Sequence, residues 1–174
     1  WVFPGDMPAT KAISLAKEFG ADGFEVCVGI QGPVSVDATE GEVAAIRRHA
    51  ADCEIALTSV ASAACWEYPL SSPDAAVRER GKELAAKSLQ IAHWLGVDSV
   101  LVVPGMVTPE VRYDVALENS LAAIQELVPI AERLEVCLAL ENVLNKFLLS
   151  PVEMRDFIDQ FQSNCVGAYF DIGN

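Results

Sequence analysis

Two hydrophobic rhythms take turns along this chain. Short apolar runs of period two predict strands, and longer stretches with apolar residues three and four apart predict helices. A strand end at Trp1-Val-Phe3 leads through Pro4-Gly5 into a helix near Pro8–Phe19. The strand Gly23–Gly29 follows, then a Gly- and Pro-containing loop and a helix near Glu40–Ala51. The next strand is Glu54–Val60, followed by a long loop, Ala61–Ser72. Ser72-Pro73 is an N-cap and first-turn pair for a helix running to Leu95, and Gly96 is its C-cap. The strand Ser99–Val103 stops at Pro104-Gly105. A helix near Pro109–Leu134 carries Leu117, Leu121, Ile124, Val128 and Ala131 as a buried stripe, with a kink expected at Pro129. The strand Val136–Leu140, a helix from Ser150-Pro151 to about Phe161, and the strand Val166–Phe170 complete the pattern.

Regular alternation of strand and helix predicts an α/β protein with a parallel sheet and right-handed crossovers. Strand parity separates a barrel from an open sheet. Helices cover both faces of a doubly wound sheet, so its strands read apolar on both. Here one face is aliphatic, whereas the other carries Glu25, Cys27, Ala56, Thr58, Ala139 and Glu141. That asymmetry predicts a (β/α)8 TIM barrel with a partly polar interior. Residues 1–174 form a single domain supplying roughly the first six strands of it. A whole barrel takes about 250 residues, so the remaining units are expected beyond Asn174.

Two carboxylates stand out on this frame. Glu141 closes the run Leu138-Ala-Leu-Glu-Asn142, and Asp171 closes Ala168-Tyr-Phe-Asp-Ile-Gly-Asn174. Both share the parity of the less aliphatic face, at the C-terminal tips of consecutive strands, where parallel α/β proteins bind ligands. A pair of acids there serves a metal or acid/base site, or else an ion pair fixing neighbouring strands. Asn142 and Lys146 follow the first tip. Lys146 would meet a substrate phosphate or simply be solvated. Trp1, Phe3, Trp66 and Tyr68 fall on loops of the same face, where they either wall a pocket or cover the barrel mouth. Glu67 reads as a solvated loop acid. Glu25, in mid-strand, reads as a barrel-interior ion pair or hydrogen-bond hub rather than a substrate contact. His49 and His93 lie within helices, away from the strand tips.

The formal charge of −13 argues against nucleic acid as a partner, because phosphate backbones need basic surface. No apolar run approaches membrane-spanning length. The five cysteines form no CxxC pair and are expected to be reduced and mostly buried, in a cytoplasmic protein.

The chain resembles the xylose-isomerase-like TIM barrels, most closely the pentulose- and hexulose-phosphate 3-epimerase or isomerase group. The matching stretches are Trp66-Glu-Tyr-Pro-Leu-Ser-Ser-Pro73, Leu95-Gly-Val-Asp-Ser-Val-Leu-Val-Val-Pro-Gly105, Glu141-Asn-Val-Leu-Asn-Lys-Phe-Leu-Leu-Ser-Pro151 and Val166-Gly-Ala-Tyr-Phe-Asp-Ile-Gly-Asn174. The resemblance implies a divalent metal held by Glu, Asp, His and Glu at successive strand ends, the first two being Glu141 and Asp171. The metal would be manganese, with magnesium, cobalt or zinc as alternatives. Glu141 would also be the catalytic base, and Trp66, Asn142, Lys146 and Asn174 would contact substrate. The implied activity is isomerisation or epimerisation of a ketose or ketose phosphate by proton abstraction through an enediolate. Asn174 stands where tagatose-type epimerases and apurinic-site endonucleases carry a histidine. An endonuclease-like metal hydrolase is therefore the weaker alternative, and a non-catalytic truncated sugar-binding barrel is the third. The expected partner is a small sugar or sugar phosphate, with no nucleic acid and no membrane, and homo-oligomers are allowed.

Overall fold

The strands are held in place by an unbroken row of aliphatic side chains. Val26, Val60, Val100, Leu138 and Val166 are all buried. Backbone pairing sets Val26 beside Val60, Val60 beside Val100, Val100 beside Leu138 and Leu138 beside Val166. This row faces the helices, so the alternate positions face the concave side.

The computed structural model describes residues 2–174. Its elements run α1 (Ala9–Glu18), β1 (Gly23–Val28), α2 (Glu40–Asp52), β2 (Ala56–Ser62), α3 (Ala75–Leu95), β3 (Ser99–Val102), α4 (Tyr113–Leu134), β4 (Cys137–Leu140), α5 (Pro151–Ile158) and β5 (Val166–Ala168), with 3₁₀ turns at Ala63–Trp66 and Asp159–Phe161. The five strands form one all-parallel sheet in the order β1-β2-β3-β4-β5. Sequential order with helical crossovers is the arrangement of a (β/α) barrel wall. Val2 and Phe3 are not in a strand, and Trp1 lies outside the described residues, so the expected first strand end is not seen. No described helix is long and apolar enough to cross a membrane.

Local chemistry explains most element boundaries. Thr39 and Glu42 form a reciprocal capping box that opens α2, and Ser150 and Glu153 do the same for α5, whose first residue is Pro151. The start of α3 differs from expectation. Asp74, rather than Ser72, is its N-cap and accepts from the Ala76 N–H, while the Ser72 hydroxyl accepts from the Asp74 N–H. Gly96 ends the same helix in the left-handed conformation (φ 76°).

Other details differ from expectation. The helix near Pro109 begins at Tyr113, because Thr108 caps a tight turn through Glu110 and Val111 first. Helix α4 runs on through Pro129, and its buried face is Ala116, Ser120, Ala123, Ile124, Leu127, Val128 and Ala131. Leu117 and Leu121 are only half-buried, since small residues form the close seam. In β2 a bulge intervenes: Phe24 pairs with Leu57 but Glu25 pairs with Ser59, leaving Thr58 as the extra residue. Ser59 and Ala61 therefore join Ala56, which pairs with Gly23, and Thr58, whose methyl lies over Gly23, beside Glu25 and Cys27 on the concave face. The cysteines are also less buried than expected. All are free thiols, but only Cys65 is buried, and Cys27 is exposed.

Gly81 tests the packing of α3. A Cβ there would stand 2.4 Å from the Tyr68 carbonyl oxygen and 3.2 Å from Leu70 Cδ2. Helix propensity favours Ala over Gly by about 1 kcal/mol, yet the clash should win. Chemical denaturation of Gly81→Ala should show a net loss of about 1–3 kcal/mol; a gain would mean that the Tyr68–Leu70 loop yields freely.

Candidate functional site

Glu141 directly follows β4, and its N–H donates to the Val102 carbonyl (3.1 Å), so its backbone continues the ladder by one residue. Its side chain is only 7% exposed. With Ala61, Trp66, Leu101, Val103 and Val143 it lines a cavity of about 360 Å³ at the C-terminal mouth of the sheet. Asp171 follows β5. Tyr169 N–H donates to the Leu140 carbonyl (2.8 Å), extending the β4–β5 pairing towards it. The Asp171 carboxylate accepts from the Gly173 N–H (2.7 Å) and closes a turn that returns Asn174 to Glu141, where Asn174 Nδ2 donates to Oε1 (3.1 Å). Glu141, Asp171 and Asn174 thus converge, whereas the remaining sequence candidates are more dispersed.

The electrostatics of Glu141 are those of an acid waiting for a positive charge. Burial pushes its carboxyl above the ordinary glutamate range, and the negative charges of Asp171 and Glu25 add to the shift; only the Asn174 amide opposes it. Ion pairs among the described residues lie elsewhere and include none of these three acids. Converging carboxylate oxygens without a cation fit a hard divalent ion better than a soft one. The set is nevertheless partial. Among the described residues no group of three or more His, Cys, Asp or Glu side chains stands close enough to hold a metal ion.

Behind Glu141 lies a second polar cluster. Glu25 Oε2 accepts from the Ser59 hydroxyl (2.6 Å) and from the Tyr169 hydroxyl (2.8 Å). Burial raises the Tyr169 hydroxyl's pKa, and its hydrogen bond to Glu25 raises it further. Glu25 is therefore the interior hub that its mid-strand position predicted. Sequence reading missed Ser59, hidden by the bulge, and Tyr169. It also missed Asn145, which is buried and fixes the β4–α5 loop: its amide donates to the Gly105 carbonyl (2.8 Å) and its oxygen accepts from the Val143 N–H (3.0 Å). An asparagine so close to a strand tip was the available signal.

The other candidates divide. Trp66 ends a 3₁₀ turn and is half-exposed over the Glu141 cavity. Asn142 is half-buried beside it, and Lys146 is exposed with φ 55°. Tyr68 packs against the core. Phe3 turns away from the site and stacks on Phe19 and Phe24, with centroids 6.5 and 6.1 Å apart. His49 bonds with Ser14 (2.9 Å) and His93 with the Leu134 carbonyl (2.9 Å), both in the outer helical layer.

Comparison with known proteins gives the fold and the family. The chain is 27% identical over 176 residues to the L-ribulose-5-phosphate 3-epimerase UlaE of Salmonella typhi, covering 93% of this chain and 58% of that protein. It superposes on D-psicose 3-epimerase from Clostridium cellulolyticum H10, solved with D-tagatose, with a TM-score of 0.78 and 21% identity, covering 95% of this chain and 58% of the other. A Mycobacterium smegmatis barrel protein solved in complex with magnesium gives a TM-score of 0.70 at 20% identity, covering 98% and 59%. The chain thus spans well under two thirds of the relatives it matches. The sequence profile described as "Xylose isomerase-like TIM barrel" matches residues 13–174, and the chain belongs to that family.

Proposed function

We propose that this chain carries part of the active site of a metal-dependent epimerase or isomerase acting on a ketose or ketose phosphate. The observation that carries the reading is the Glu141 carboxyl, buried at the mouth and near enough to Asp171 for that charge to push its pKa up, with neither acid in an ion pair among the described residues. Support comes from the two 3-epimerases to which the chain is similar, one named for a ketose phosphate and one solved with a ketose. A cytoplasmic setting belongs to the same proposal and accords with five cysteines that form no disulfide.

In this reading Glu141 and Asp171 hold a divalent metal, manganese being the first candidate and magnesium the second. The bound ion would polarise the substrate carbonyl and stabilise negative charge developing on its oxygen. Glu141 takes the proton from the carbon beside the carbonyl. Asn174 orients the carboxylate by donating to Oε1, so the other oxygen is left to act. Trp66 covers the mouth and limits water, and Asn142 and Lys146, on the loop that follows β4, would meet sugar hydroxyls or a phosphate.

The charge state of Glu141 separates this reading from a structural one. A carboxyl whose pKa is higher folded than unfolded stabilises the metal-free protein below the ordinary glutamate range, and that stability is lost as pH rises through the raised value. Glu141→Gln should remove this loss, so the metal-free variant should melt higher than wild type near neutral pH. The same variant should lose about 10²–10⁴-fold in Mn²⁺-dependent exchange of a ketose C–H with D₂O, read by NMR. A variant that melts higher and still exchanges at the wild-type rate would sink the catalytic assignment.

Asp171→Asn separates ligand from base. It should weaken Mn²⁺ binding in calorimetry at least tenfold, while excess metal restores much of the exchange rate. Unchanged affinity would remove Asp171 from the site.

A further inference from the structure

Residues 169–174 carry Asp171 and Asn174, and their polar side chains reach across the interior. Strand β5 ends at Ala168, and one backbone bond, from Tyr169 N–H to the Leu140 carbonyl, continues its pairing. What remains is polar and points inward. On one side Asn174 donates to Glu141. On the other, the Tyr169 hydroxyl crosses the interior to Glu25 of β1, at the opposite end of the strand order. Among the described strands no backbone ladder joins β1 to β5. Glu25 is itself fixed by the Ser59 hydroxyl of β2, next to the bulge that turns Ser59 inward.

We propose that Tyr169 and Glu25 are positioning residues, a brace across the barrel interior that sets where Asp171 stands relative to Glu141. The inference rests on the metal-site reading above. Tyr169 and Asp171 share strand parity, so tying the Tyr169 hydroxyl to β1 fixes which way Asp171 faces. Both Tyr169 and Ser59 donate to the same oxygen, Oε2, so the brace needs an acceptor at residue 25 rather than a charge. A partner of this kind, orienting a ligand without touching the ion, typically accounts for 10–100-fold in metal affinity.

The test uses the natural full-length protein and its variants Tyr169→Phe, Glu25→Leu, Glu25→Gln and the double variant Tyr169→Phe/Glu25→Leu. Mn²⁺ affinity is measured by calorimetry, with melting temperature and kcat at saturating Mn²⁺ beside it. Tyr169→Phe keeps the ring and should weaken Mn²⁺ binding about 10–100-fold. Glu25→Leu should do the same, and the double variant should be no worse than the weaker single. Glu25→Gln, whose amide oxygen still accepts from both hydroxyls, should stay within a few-fold of wild type. Wild-type affinity in Tyr169→Phe, or equal damage from Gln and Leu at residue 25, overturns the brace and leaves the metal-site reading standing. A shift in melting temperature with unchanged affinity means a merely structural contact and also overturns it. Failure of the wild type to bind Mn²⁺ overturns the site reading, and the brace with it.

Discussion

A strand sealed under helices on one face has a single permitted register. A slip of one residue would turn its whole aliphatic row inward and expose the other row to the helices. Val26, Val60, Val100, Leu138 and Val166 impose that register here, paired side by side beneath the helical layer. Glu141 stands an odd number of residues beyond Leu138, Asp171 an odd number beyond Val166, and Glu25 just before Val26. Glu25 and Glu141 must then face the concave side, and the turn after β5 brings Asp171 to the same end. Their convergence follows from side chains that take no part in any reaction, which is how a barrel scaffold supports a site at its strand ends.

That convergence works against folding. Gathering carboxylates in a partly enclosed space penalises their charged forms by desolvation and by mutual repulsion, as the raised Glu141 pKa records. The structure offsets some of the cost with neutral donors. Asn174 serves Glu141, and Ser59 and Tyr169 serve Glu25. None of these removes net charge, and surface pairs such as Arg80–Glu83 and Lys87–Asp37 compensate charge elsewhere. A cation at the mouth would reverse the balance, turning repulsion between ligands into attraction to a shared ion. Local choices that conflict with stability are expected where a protein binds or reacts.

The alternation of strands and helices, the parallel sheet and the direction of both tip acids were legible because each depends on period and parity, which are local. Glu141, Asp171 and Asn174 could be placed at one end of the sheet from sequence alone. The bulge in β2 was not legible, since nothing in Leu57-Thr58-Ser59 marks which residue is supernumerary, and so Ser59 was hidden. The buried face of α4 was misplaced for a related reason. Ala116, Ser120 and Ala123 contribute small side chains that a search for large apolar residues passes over, although they allow the close approach. The pairing of Tyr169 with Glu25 joins residues 144 apart and depends on the curvature of the sheet. Phe3 was placed on a loop of the mouth face by its position before a helix, but its ring is held against Phe19 and Phe24, contacts that no local pattern announces.

The loops after β2, β3 and β4 hold one another, and that bears on how the site would behave. Ser71 Oγ donates to the Met106 carbonyl and accepts from the Met106 N–H, and Asn119 donates to the carbonyls of Ser71 and Ser72. Asn145 donates to the Gly105 carbonyl, and its own carbonyl accepts from the Val107 N–H. These bonds stitch the loops after β2, β3 and β4 into one unit, with a φ of 55° at both Lys146 and Leu148 accommodated by the packing around Asn145 and Phe147. The segment after β5 meets the site through inward polar contacts, Asn174 to Glu141 and Tyr169 to Glu25. The wall around Glu141 is thus preorganised before any ligand arrives. A ligand bridging Glu141 and Asp171 would tie the segment after β5 to that preorganised wall.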